Sequence, residues 1–346
     1  MTESEINSLL QEPREHLGDW ESEYRALVDT CALGVRHDRG VVRVTGERAA
    51  EMLNGLLTQQ LKGLAGAGRH ALLLSAKGRV LTDLRVLPQS AGLLLDVPRA
   101  GLANLLASFK KYLPPLYARY EDLSAELIQL GLYGPRAAAV LSDAIGAEAP
   151  AEHLAVDEQQ IDHATVMLIR NRRLVGDGVE LVLDRTAAAA VTEKLLRATC
   201  AEGGGVAGVR ALNVVRVESG VPDYGVDMDE SNLAQETGLE AEAISYDKGC
   251  YLGQEVVARV HFRGHVNRHL RSLSFRGTLP EHGVALLDQD KEVGVVTSAV
   301  VSPEYGPIGL GYVRREISPS HSLSWSGPAG RGEALVSGSP FRTSTV

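Results

Sequence analysis

Apolar residues recur along this chain at two spacings, and the change from one to the other marks out its elements. Trp20, Tyr24, Leu27 and Val28 fall at helical spacing and predict a short docked helix. Ala49, Met52, Leu53, Leu56 and Leu57 predict a second, with Thr45 as its N-cap. Leu102, Leu105, Leu106 and Phe109 predict a helix over 99–113, stopped by Pro114 and Pro115. Helices over 136–145, 187–200 and 212–219 follow. Between them lie apolar runs of strand character at 33–35, 41–44, 127–132, 165–170 and 179–183, while 71–74, 80–87 and 93–97 read as a β-meander. Strands alternating with helices on short connections imply sheets covered by helices on one face. From Leu270 onward, short strands separated by Gly and Pro turns suggest a small all-β barrel. Residues 1–19 read as a mobile or weakly helical leader, Gly203-Gly204-Gly205 as a flexible joint, and 317–346 carries no usable pattern.

Composition narrows the class. A chain of 346 residues is long enough for two or three domains, and 44% hydrophobic with 23% charged residues is ordinary for a soluble globular protein. A net charge of −9 argues against broad nucleic-acid binding. The first 19 residues lack the apolar core of a signal peptide, and no run reaches the roughly 18 apolar residues of a membrane span. Three widely spaced cysteines, Cys31, Cys200 and Cys250, fit a reducing cytoplasm better than a disulfide scaffold. Without a CxxC pair or a His/Cys cluster, no permanent zinc or iron–sulfur site is expected.

Three stretches carry candidate chemistry. In Ser245–Glu255, Cys250 follows the ammonium group of Lys248 by two residues, between Gly249 and Gly253. A cation near a thiol favours the reactive thiolate; a buried cysteine in a Gly-rich turn explains the same spacing equally well. In the meander, Asp83 and Arg85 share one face of an apolar strand, where a carboxylate could bind a ring amidine or take a proton, or simply meet solvent. His37 and Asp38 read as turn chemistry. From Val256 to Pro280 there are five arginines, three histidines and no acid. Arg259, His261 and Arg263 alternate with Ala258, Val260 and Phe262, which predicts a strand with one basic face able to attract a polyanion. Sparse aromatics argue against RNA as that polyanion.

Lys248-Gly249-Cys250-Tyr251-Leu252-Gly253-Gln254-Glu255, followed by Val256-Val257-Ala258-Arg259, resembles the K-G-C-Y-x-G-Q-E-x-x-A-R signature of the YgfZ-type folate-binding proteins, relatives of the glycine-cleavage T-protein. Val44-Thr45-Gly46, Leu57-Thr58, Lys77–Leu84, Gly176–Glu180 and the Gly-x-x-Thr-Ser and Ser-Pro motifs near the C-terminus are similar to T-protein blocks, so the likeness covers roughly residues 31–315. It implies an α+β fold of three lobes around a central folate hole, with two interleaved subdomains over 1–260 and a C-terminal β-barrel over 261–346. The implied function is a tetrahydrofolate-binding accessory protein for assembly or repair of iron–sulfur proteins, monomeric and cytoplasmic, with iron–sulfur client or assembly proteins as partners. Cys250 would be its reactive thiol and Lys248 would favour the thiolate. Asp83 and Glu180 would hold the pterin, and the basic strand with Arg259 and Arg263 would hold a polyglutamate tail. The alternatives are a folate-dependent aminomethyltransferase or related one-carbon transferase, and a non-catalytic RNA- or partner-binding protein. Thr82 beside Asp83 and Leu212 at the place of the T-protein's pterin-binding arginine depart from the transferase pattern, so no aminomethyltransferase turnover is expected.

Overall fold

The computed structural model describes residues 1–343, so the last three residues of the expected 261–346 unit lie outside the described residues. Two β-sheets and a closed barrel form the frame. After helices α1 (Glu3–Gln11) and α2 (Trp20–Asp29), strand β1 (Ala32–Val35) joins the first sheet. The chain then crosses to the second sheet, of order β3-β4-β5-β2-β6. That sheet contains β2 (Arg39–Thr45), β3 (Arg69–Leu74), β4 (Val80–Gln89), β5 (Gly92–Pro98) and β6 (Arg119–Asp122), with α3 (Ala49–Asn54) and α4 (Arg99–Tyr112) on the connections. It returns for β7 (Leu127–Tyr133), β8 (Val156–Ile161), β9 (Ala164–Arg170), β10 (Gly178–Asp184) and β11 (Gly205–Val206), with α5 (Ala137–Ile145) and α6 (Arg185–Ala201) between them. The completed first sheet runs β11-β1-β7-β10-β9-β8.

Each sheet buries one face under helices. Leu105 and Phe109 of α4 cover Val42, Ala71, Leu84 and Val86 of the second sheet. Residues of α1, α5 and α6 cover Leu33, Leu130, Leu168 and Leu181 of the first. The opposite faces meet one another through Val41, Leu87 and Leu94 on one side and Met167, Ile169 and Val182 on the other. Because side chains alternate along a strand, Asp83 and Arg85 share the face of Leu87, Asp96 that of Leu94, and Glu180 that of Val182. The layer between the sheets therefore begins apolar and becomes ionic.

Helix α7 (Val209–Glu218) links the first sheet to the rest. Past it come α8 (Glu240–Ala243), α9 (Gln254–Arg263) and the barrel strands β12 (Arg268–Gly277), β13 (Ala285–Asp288), β14 (Lys291–Ser302), β15 (Gly306–Arg314), β16 (Ser322–Gly327) and β17 (Gly330–Val336). The barrel closes in the order β12-β15-β14-β13-β16-β17 around Leu273, Phe275, Leu286, Val296 and Trp325. Two of its strands, β16 and β17, lie in the stretch that carries no usable sequence pattern.

Four expectations need correction, the first being the Thr45 cap: Thr45 ends β2, and α3 opens after Arg48 with no side-chain cap. Residues 3–11 are a docked helix, opened by a reciprocal Thr2–Glu5 capping box and burying Ile6, Leu9 and Leu10. The glycine run is not a flexible joint: Gly205 pairs with Ala32 in a parallel bridge, and a Cβ on Gly204 would stand 1.9 Å from the Cys31 carbonyl oxygen. Residues 254–263 form a helix, with Val257 as its buried residue and Phe262 68% exposed. Alternation of Ala, Val and Phe with Arg and His suggests a strand, yet neither alternating set is buried. Docking of α1 has a measurable consequence. Leu9→Ala should lower stability to urea by about 2–5 kcal/mol, whereas a mobile leader would leave the midpoint unchanged.

Candidate functional site

The ionic end of the inter-sheet layer opens into a cavity of about 90 Å3 lined by Arg36, Arg39, His70, Asp83 and Arg173 among others. It adjoins a larger space of about 940 Å3, with which it shares Arg36, Asp38, Leu174, Arg216 and Asp223. The larger space reaches Leu212 of α7 and His282, Thr297 and Ser298 of the barrel domain. Both sheets and the barrel thus contribute to one central hole.

Glu180 is the hub of its wall. The carboxylate is fully buried and accepts hydrogen bonds from Arg36 Nη1 (3.1 Å), Tyr133 Oη (2.6 Å), Asn171 Nδ2 (2.8 Å) and Gln129 Nε2 (2.8 Å). Arg85 Nη2 adds a fifth contact at 2.5 Å. Burial alone would raise its pKa, but Arg85 and Arg36 outweigh that and hold it below the usual carboxylate range. Arg85 also pairs with Asp96, its cross-strand neighbour, and Asp96 in turn receives Arg39 Nε at 2.7 Å. The Tyr133 ring fits beside Glu180 because Gly131 has no side chain: a Cβ there would meet the ring at 2.4 Å. With five donors on two oxygens, Glu180 has no capacity left for a pterin. The expected direct contact is corrected to an internal one, in which Glu180 fixes Arg36 and Arg85.

Asp83 is different. It is buried rather than solvated, and His70 Nε2 lies 2.9 Å from its Oδ2. Its Oδ1 is buried with no hydrogen-bond partner among the described residues. His70 Nδ1 faces Glu242 Oε1 at 3.0 Å, and Arg173 Nε lies 3.3 Å from Glu242 Oε2. On the same wall, His153 Nδ1 accepts the Arg172 N–H, which places its proton on Nε2, also buried without a hydrogen-bond partner among the described residues. The cavity wall therefore holds an unpartnered acceptor at Asp83, while His153 Nε2 faces Glu242 Oε1 at 3.9 Å. Asp38 is a wall group as well; it is half exposed and paired with Arg36, which holds its carboxyl below the usual carboxylate range.

The Cys250 loop is clamped from three sides. Lys248 Nζ donates to the carbonyls of Asn54 (2.7 Å), Leu57 (2.7 Å) and Gln59 (2.8 Å). Ser245 N–H binds Thr58 O, Leu252 N–H binds Gly55 O, and Tyr251 is buried. Gly253 has φ +83°, and a Cβ there would lie 2.6 Å from Ser75 O, so only glycine allows this approach. Between these anchors Cys250 is exposed. Burial pushes the Lys248 pKa down to about 8, and its three acceptors use every proton of the ammonium group. Lys248 thus has no N–H left to bond Cys250, and the contacts it makes anchor the loop.

Arg259 and Arg263 also need correction. Arg259 is exposed and paired with Glu255 on its own helix at 2.8 Å, and neither arginine lines the central hole. His261 stacks on Tyr246 at 3.6 Å instead of sharing their face. Other members of the basic run, His265, Arg268 and His269, line a separate open cleft of about 1240 Å3 with Arg79, Arg314 and Arg315. His70, Glu242, Arg36, Arg39, Asp96 and Arg173 are site residues that sequence reasoning missed. Asp96, a lone charge in an apolar strand, was the one visible signal.

Two measurements test this geometry. Lys248→Met leaves three buried carbonyls without their donor and should cost about 2–4 kcal/mol in chemical denaturation; an unchanged midpoint would remove the clamp. The His70 pKa is raised: burial opposes the charge, while Glu242 and the bond to Asp83 outweigh it. Its stabilisation is therefore complete below the ordinary value of 6.5 and lost as pH rises through the folded value. His70→Asn should accordingly destabilise the fold more at pH 6 than at pH 9, measured by urea unfolding at both.

The comparisons agree with this architecture. The family model described as GCVT N-terminal domain matches residues 11–248. Proteins named aminomethyltransferase are similar over most of their length. That of Saccharopolyspora erythraea is 26% identical over 310 residues, covering 88% of this chain and 84% of that one. That of Synechococcus sp. is 28% identical over 302 residues, covering 86% and 83%. The crystal structure of glycine cleavage system aminomethyltransferase T from Bartonella henselae superposes with a TM-score of 0.82 at 24% identity, covering 93% of this chain and 90% of that one, and shows the same fold. No helix among the described residues is long and apolar enough to cross a membrane. By the extent of the family match, the chain belongs to the GCVT N-terminal domain family.

Proposed function

We propose that the chain binds a reduced folate in the central hole and serves one-carbon transfer of the aminomethyltransferase kind, with Asp83 at the reacting end. The observation that carries this reading is the buried, unpartnered Oδ1 of Asp83 on the cavity wall. The names of the similar proteins support it, and they favour a transferase over the accessory role implied by the cysteine motif. Tetrahydrofolate supplies the nitrogen atoms that receive a carbon unit. The chain supplies a carboxylate kept ionised by His70, whose bond lowers the Asp83 pKa against the effect of burial. Such a group accepts an N–H from the ligand or balances positive charge building up at a reacting amine.

A second reading, an accessory protein in iron–sulfur protein maturation or repair, is favoured by two observations. Cys250 is exposed on a clamped loop, and Leu212 lines the hole where the resemblance expects an arginine. One assay separates the two. Protein is mixed with aminomethyl-loaded lipoyl carrier protein and tetrahydrofolate, and methylene-tetrahydrofolate and ammonia are measured against a protein-free control. The transferase reading expects turnover that falls by about a hundredfold or more in Asp83→Asn and survives in Cys250→Ser. Folate binding without turnover would select the accessory reading, and absence of folate binding would defeat both.

A further inference from the structure

The two oxygens of Asp83 stand in different situations. Oδ2 meets His70 Nε2 at 2.9 Å, while Oδ1 is buried and has no hydrogen-bond partner among the described residues. His70, on β3 and only 3% exposed, places its other ring nitrogen 3.0 Å from Glu242 Oε1. A neutral imidazole carries one N–H and satisfies one carboxylate; at the second it would set lone pair against lone pair. Carboxylates on both ring nitrogens select the imidazolium.

We propose that His70 is a positioning residue: held as a cation between Glu242 and Asp83, it fixes the Asp83 carboxylate with Oδ1 left to the ligand of the central hole. That ligand is the reduced folate of the preceding reading, on which this step rests. Glu242 and Arg173 face His70 from α8 and from the loop after β9, and Arg173 Nη1, 3.4 Å from His70 Nδ1, partly opposes its charge. His153 stands 3.9 Å from Glu242, Arg39 on β2 acts on Asp83, and Asp223 lines the same space. Among these groups His70 is the cation bonded to Asp83. Without it, the carboxylate would lose its hydrogen-bonded counter-charge in a buried place, and protonation would become the easier state. A protonated Asp83 no longer presents the same charge to a reacting nitrogen.

The experiment has two arms on the full chain. In the first, 5-formyltetrahydrofolate binding is measured by calorimetry between about pH 5 and pH 9 for the wild type, His70→Gln and Glu242→Gln; the titration of the ligand itself is common to all three. His70→Gln should move the acid limb of binding up by about 1–3 pH units. Glu242→Gln should shift the limb in the same direction by less, and it stands in if His70→Gln does not fold. In the second arm, the Asp83 carboxyl is titrated without ligand by 13C NMR, assigned through Asp83→Asn, and its pKa should rise in both variants. Superimposable profiles, or equal loss of affinity at every pH with an unmoved carboxyl titration, would overturn the role of His70. Failure of the wild type to bind folate would defeat the folate reading, and the carboxyl titration would then decide on His70 alone.

Discussion

The structure depends on a buried ionic layer between two sheets. Glu180 of β10 and Asp96 of β5 share Arg85 of β4, and Arg36 and Arg39 close the set from the β1–β2 connection and the start of β2. Removing any member would leave an uncompensated buried charge, a far larger penalty than the net worth of the intact set. Arg85 reaches Glu180 across the layer while Tyr133, Gln129 and Asn171 hold that carboxylate from its own sheet, so this bridge favours one relative placement of the sheets, whereas the apolar patch of Val41, Leu87 and Val182 would tolerate sliding. The ionic layer therefore fixes where the central hole lies, and the apolar layer supplies most of the adhesion.

Along this layer, saturation falls off toward the hole. Glu180 and Asp96 are fully engaged, Asp38 is tied to Arg36, and Asp83 keeps one oxygen open. An unpartnered carboxylate oxygen beside saturated charges is the pattern of a preorganised site, in which the surrounding groups hold the working one still and leave it unspent. The same separation appears at the cysteine loop, where Lys248 and Tyr251 are buried as anchors and the thiol between them is left exposed.

Much of the fold was legible because its signals are local. The meander, helix α4 and the hairpin of β9 and β10 follow from period and turn chemistry, and the three-lobed α+β arrangement with its barrel follows from the resemblance. Helix α1 was also legible: Thr2 and Glu5 form a capping signature, and Ile6, Leu9 and Leu10 share one face. Its shortness and polar context masked it. The site was far less readable because its contacts are distant. Lys248 appeared to serve a thiol two residues away, but its ammonium reaches carbonyls 189 to 194 positions earlier. His70 meets Glu242, 172 positions along. Asp83 and Glu180 could be picked out as buried-strand charges, but which one is spent and which is open depends on partners no local pattern records.

The segment between Asn54 and Gln59 carries a consequence for genetics. Its carbonyls hold Lys248 at the cysteine loop, while the Gln59 side chain donates to the backbone carbonyl of Glu242 at 2.7 Å, on the residue that faces His70. One short stretch of backbone is thus a shared wall between the thiol and the carboxylate that faces His70. Lesions in it will perturb both at once, and alleles that separate the two must be sought on either side of the wall.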